Sequence, residues 1–145
     1  MALLHDPQIR NSIEQRVRAL TPDTRPTWGK MSVDQMLWHV NQALGLSLGT
    51  VTVGRGGPPA PAWLLRALIN IPLPKGVPTH PELVAKKQYN FEAEHARLLN
   101  QIAQIAARPI DSAWPKHPAF GNMSGRQVST LTHKHLNHHL TQFGV

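Results

Sequence analysis

The chain has 145 residues and no cysteine, so disulfides and thiolate metal sites are excluded, and any metal must be held by His, Asp, Glu or water. Apolar residues make up 41% and charged residues 16%, the balance of one folded domain over residues 1–145 and not of a disordered tail. The formal charge of +7 makes nucleic acid or an anionic surface a partner to weigh, but the fifteen Lys and Arg are scattered and no aromatic platform interleaves with them, so nucleic-acid binding is the lesser expectation.

The first helix is expected to begin near Asp6, with Pro7 suited to its first turn. Ile9, Ile13, Val17 and Leu20 recur at about one turn and give it one apolar face, and Thr21-Pro22-Asp23 ends it. A second helix starts at Ser32, where Ser32 and Gln35 form a capping-box pattern. Its inner face is Met36, Val40, Ala43, Leu44 and Ser47, with His39 on the flank beside Met36 and Ala43 and Gly49 as the stop.

Residues 49–81 hold five of the ten glycines and seven of the thirteen prolines, which predicts a long connection, irregular above all at Gly54-Arg55-Gly56-Gly57-Pro58-Pro59. Within it, Pro61 to Ile71 carries Trp63, Leu64, Leu65, Leu68 and Ile69 and is expected to form a short helix. That piece is read first as a lid over one end of the core, with a substrate flap or a dimer contact as the alternatives. The third long helix is placed from Thr79, with Glu82 three residues on, to about Ala107. Phe91, His95, Leu98, Ile102 and Ile105 form its seam; His95 is either a hydrogen-bonded core histidine or a fourth metal ligand.

The last long helix starts at Ser124, where Ser124 and Gln127 repeat the capping box, and runs to about Phe143 before Gly144. It carries four of the nine histidines, His133, His135, His138 and His139. Interruption by Lys134, Leu136 and Asn137 separates this run from a purification tag. With Val128 at 0° and about 100° per residue, His139 falls near 20° and His135 near 340°, on one face with Leu131, Thr132 and Gln142. His138 lies on the edge of that face and His133 points away. Spacing by four stacks His135 and His139 about 6 Å apart at Cβ, as two ligands of one ion require. His5, His80 and His117 sit beside helix starts or prolines and are expected to be exposed.

Four helices and one long crossover describe an all-α four-helix bundle. Only Thr50 to Val53 could be a strand, and it is too short to matter. No apolar run reaches the length of a membrane span, and the apolar part of Met1-Ala2-Leu3-Leu4 is too short for a signal peptide, so cytoplasm is the expected location. The segments at 28–35 and 120–127 share the frame aromatic-Gly-x-Met-Ser-x-x-Gln. That echo suggests that the second and last helices enter the bundle in equivalent ways, with His39 level with Leu131, one turn before His135, and histidines of both helices at nearby depth.

His39, His135 and His139 therefore make a candidate three-histidine site for a divalent transition metal, with room left for water or substrate. The serines at 32 and 124 read as caps, not nucleophiles. Glu92 and Glu94 point to different faces of their helix, and no Gly-rich loop has phosphate-cradle spacing.

Trp28-Gly29-Lys30-Met31-Ser32-x-x-Gln35-Met36-Leu37-x-His39, with His117-Pro118-x-Phe120-Gly121 and the ending His135-x-x-His138-His139-x-x-Gln142-Phe143-Gly144, resembles the DinB/YfiT-like superfamily of metalloenzymes. More narrowly it resembles an uncharacterised branch, a domain of unknown function. The resemblance spans nearly the whole chain. It implies an up-down-down-up bundle with the crossover between helices two and three, and zinc or nickel held by His39, His135 and His139. Its better-known members transfer low-molecular-weight thiols or isomerise substrates with a thiol cofactor, and the leading expectation here is a metal-dependent enzyme, a thiol transferase or hydrolase, acting on a small molecule, with a thiol among the candidates. A non-catalytic metal- or ligand-binding bundle of a stress response is the alternative, and a basic nucleic-acid-associated protein is a third. Trp63 or Trp38 could serve a homodimer contact.

Overall fold

A computed structural model describes residues 2–54 and 60–145, which are all-helical with no strand. The expected irregular run at 54–59 lies outside the described residues apart from Gly54. Helix α1 spans Pro7–Ala19, with the Asp6 carboxylate accepting from the amides of Gln8 and Ile9 as its cap. Helix α2 spans Val33–Leu48 and ends on Gly49 at φ 77°, in the left-handed conformation glycine adopts without strain. Helix α3, Ala62–Ala67, runs on into a 3-10 turn at Leu68–Asn70, close to the expected short helix. Helix α5 spans Gly125–Gln142 behind a closed capping box, Gln127 N to Ser124 Oγ at 3.2 Å and Ser124 N to Gln127 Oε1 at 3.0 Å.

The start of the third long helix differs from expectation. Helix α4 spans Phe91–Ala107, capped by Asn90, whose side chain accepts from Ala93 N. Thr79 and Glu82 precede only a single 3-10 turn, Pro81–Leu83. Between that turn and Asn90 the backbone is bonded to side chains of α2 and not to itself. Gln35 Nε2 donates to Lys87 O at 3.1 Å, and Tyr89 N donates to Asp34 Oδ2 at 2.7 Å. Those partners outcompete a helical ladder there. Asn90 caps the helix there, with the acids Glu92 and Glu94 in its first turn.

The core is built by one face of each long helix. Ile13 and Val17 of α1, Met36, Leu37, Val40 and Leu44 of α2, Leu98, Ile102 and Ile105 of α4, and Leu136 and Leu140 of α5 pack in one cluster. On α5 the leucines lie about 60–100° around the helix from His139, so the histidine face is one flank of the buried arc.

Cross-helix contacts order the long helices. Leu4 N reaches Ser129 O at 3.5 Å and Arg16 reaches Asn137 Oδ1 at 2.7 Å, so α1 runs parallel to α5. His5 Nε2 lies 3.0 Å from Arg108 O and His95 Nε2 2.8 Å from Val17 O, so α1 and α4 are antiparallel. Asn41 Nδ2 donates to Glu94 O at 2.9 Å and Arg97 to Gln42 Oε1 at 3.3 Å, so α2 and α4 are parallel. Thr27 N donates to Gln142 O at 2.7 Å, which puts the start of α2 against the end of α5.

That last contact overturns one expectation. Ser32 and Ser124 lie at opposite ends of antiparallel helices, so the echo is local. It repeats a helix-entry device, including left-handed glycines at Gly29 (φ 83°) and Gly121 (φ 67°), and does not place His39 level with Leu131. The piece from Pro61 to Ile71 buries Ile69 against Met123 and Val128 and leaves Trp63 65% and Leu68 44% exposed. Trp38 stacks on Tyr89 with ring centroids 4.9 Å apart. Among the described residues no helix is long and apolar enough to cross a membrane.

Candidate metal centre

His39 projects from the middle of α2, and His135 and His139 from successive turns of α5. The antiparallel packing of these helices brings all three rings together, with one nitrogen of each within 4.8 Å of the others. His39 Nε2 lies 3.1 Å and His139 Nε2 3.0 Å from His135 Nε2. His39 and His139 are buried, and His135 retains partial solvent access.

The outer nitrogens settle which ring atoms carry protons. His39 Nδ1 lies 2.8 Å from Leu83 O. A carbonyl only accepts, so Nδ1 donates and the neutral ring presents a lone pair at Nε2. His139 Nδ1 lies 2.8 Å from Gln142 Oε1. The Gln142 amide is oriented by its own Nε2, which donates to Trp28 O at 2.9 Å. Oε1 therefore faces His139, Nδ1 again donates, and His139 Nε2 also carries a lone pair. His135 Nε2 meets both lone pairs and has at most one proton to share between them. A single cation among the three nitrogens satisfies all of them. In a tetrahedral zinc site with bonds of about 2.0–2.1 Å, ligand nitrogens stand roughly 3.3–3.4 Å apart, close to the 3.1 and 3.0 Å that separate His39 and His139 from His135.

Burial keeps these rings neutral, as metal ligation requires. Desolvation lowers the pKa of His39, with the Leu83 carbonyl opposing and His138 adding to the shift. His135 is held well below the usual histidine range by burial and by the neighbouring histidines. Burial and His39 push His139 down to about 3, against the raising effect of Gln142.

The remaining histidines separate from the trio. His138, expected at the edge, packs its ring on His139 at 5.0 Å and on Trp28 at 6.0 Å, and its nitrogens do not join the cluster. His133 lies in an open groove with Ile69, Lys134 and Asn137. His95 is a half-buried, hydrogen-bonded histidine apart from the trio: it meets the Val17 carbonyl and stacks on Phe91 at 5.3 Å. His117 is buried, contrary to expectation. Its backbone exchanges two hydrogen bonds of 2.9 Å with Gly121, and Nδ1 accepts from Ala119 N and Phe120 N. Burial pushes its pKa down to about 4. His5 is half-buried, bonded to Ser129 Oγ at 2.9 Å. His80 is half-buried, and its Nδ1 accepts from Glu82 N.

Two groups that hold the trio were not read from the sequence. Gln142 shares the histidine face, but its tie to Trp28 depends on the helix packing. Leu83 contributes a backbone carbonyl, which no side-chain pattern reveals.

No model of a known protein family, no curated protein and no solved structure matches the chain.

Proposed function

We propose that His39, His135 and His139 hold a divalent transition metal, zinc or nickel, and that the chain is a metalloenzyme of the DinB/YfiT-like kind acting on a small molecule. The observation that carries this reading is the convergence of three Nε2 atoms, two with lone pairs fixed by Leu83 O and Gln142 Oε1. The helix directions support an up-down-down-up bundle, with the Gly/Pro-rich segment as its crossover between α2 and α4. That crossover supplies Leu83 to the site, so it belongs to the centre as much as the helices do.

Such an ion supplies Lewis acidity, lowering the pKa of a bound water or thiol or polarising a carbonyl. The chain's own part is to fix the ring tautomers and keep His39 and His139 from bulk water. Those features suit transfer of a thiol or hydrolysis of a small substrate. A non-catalytic metal or ligand binder is the second reading. What favours it is that no carboxylate hydrogen-bonds any of the three histidines among the described residues.

Metal analysis of protein prepared without a histidine tag tests the first step. About one equivalent of bound zinc or nickel is expected, and His135→Ala should lose it with the helical fold retained. No bound metal after loading, or full metal content in the variant, would refute the assignment. Turnover of a low-molecular-weight thiol with an electrophilic acceptor separates enzyme from binder; no turnover across a broad panel favours the binder.

A further inference from the structure

We propose that the coordination position left free by the three histidines takes an anionic small molecule, with the Lys75 ammonium, seated on the Trp28 indole, as the group that recognises its charge. The inference rests on the metal reading above and adds the charge class of the ligand.

The first argument is charge balance. Three neutral imidazoles leave the full charge of a divalent ion uncompensated. The polar partners of the three rings are the Leu83 carbonyl, the Gln142 amide and one another. The acids nearest in the chain are engaged elsewhere. Asp34, on the same helix as His39, accepts from Ser32 Oγ at 2.5 Å and from Tyr89 N at 2.7 Å. Glu82, beside Leu83, accepts from Gly54 N at 3.2 Å. Among the described residues no carboxylate hydrogen-bonds any of the three rings, which leaves an incoming ligand to supply negative charge to the ion.

The second argument is the flanking cation. Lys75 Nζ sits 4.2 Å from the Trp28 ring centroid, a cation–π contact. The edge of Trp28 meets His138 at 6.0 Å, and His138 meets the ligand ring of His139 at 5.0 Å. The Trp28 carbonyl also orients Gln142 and through it His139. Lys75 is exposed and forms no salt bridge among the described residues, so its three donors remain available. A chain of ring contacts through Trp28 and His138 thus links the ammonium to His139, and Trp28 also positions that ligand. The net charge of +7 adds a longer-range attraction for anions.

The probe is cobalt(II)-loaded protein, whose visible absorption reports the metal's coordination, titrated with acetate, with inorganic phosphate and with neutral acetamide. Acetate and phosphate should shift the bands saturably, and acetamide should leave them unchanged. Lys75→Gln should keep its cobalt and bind the anions about fivefold more weakly, the upper size expected of one exposed charge. Lys86→Gln, which removes the same charge elsewhere, should bind them like the unaltered protein. Bands indifferent to anions, acetamide binding as tightly as acetate, or Lys75→Gln and Lys86→Gln behaving alike would each overturn the proposal while leaving the metal site standing. Failure to take up cobalt would remove the metal reading and this inference together.

Discussion

Gln142 Oε1 stands 2.8 Å from His139 Nδ1, while the same amide's Nε2 donates to Trp28 O at 2.9 Å. One side chain thereby links the entry to α2 with the end of α5 and sets the proton on a candidate ligand. Replacing Gln142 with Leu should preserve helicity and lower metal affinity by about 10–100-fold, the usual cost of removing a group that orients a ligand. Competition with a chromophoric chelator measures it; unchanged affinity would show that Gln142 only packs.

Gly29 offers a second route to the same amide. Its φ is 83°, and a Cβ built there would lie 2.6 Å from Gln142 Nε2. Gly29→Ala should cost about 1–2 kcal/mol in backbone strain, or roughly 2–8 °C in Tm, and should also weaken metal binding. Gly121→Ala is the matched control. It shares the left-handed backbone at φ 67° but meets Arg66 Nη1 at 3.1 Å instead, so it should lower Tm and leave metal affinity intact. Equal metal affinities in both variants would break the link to Gln142.

The buried histidines predict a pH dependence of the metal-free fold. His39 and His135 are shifted down, His117 to about 4 and His139 to about 3, all chiefly by burial. Below the ordinary value of 6.5 the unfolded chain takes up protons that the folded chain refuses, so stability falls as pH drops. Stability is fully present above 6.5 and declines toward the folded values, each group contributing up to about 1.4 kcal/mol per pH unit. In the presence of a chelator, Tm should fall between pH 7 and pH 5, a range set by these shifts. A Tm constant over that interval would contradict neutral burial of these rings.

Helix α4 begins at Asn90, whose side chain accepts from Ala93 N at 2.8 Å. Asn90→Ala should cost about 1 kcal/mol in urea unfolding with an unchanged slope. Thr79→Ala, at the start that the sequence pattern suggested, should be neutral within about 0.5 kcal/mol, as for an ordinary surface site. The opposite order would restore the earlier helix start.

Local spacing carried much of this protein. Capping boxes at Ser32 and Ser124, the stops at Gly49 and Gly144, and the phase that sets His135 and His139 on one face are all interactions within a few turns, so they are written in consecutive residues. His39 was also legible as a histidine on the flank of an apolar face, and it does join the other two. Tertiary packing decided the rest. How His39 comes to His135 depends on the direction of α2 against α5, and a repeated helix-entry frame carries no information about direction. The late start of α4 follows from Gln35 and Asp34 claiming the backbone of residues 87–89, contacts across more than fifty positions. His117 is buried because its hairpin folds back on Gly121, and the tautomers of His39 and His139 are set by a distant carbonyl and a distant amide. Hydrogen bonds that close only after helices pack leave no periodic trace in the chain, and they are what orients three well-spaced histidines as a candidate site.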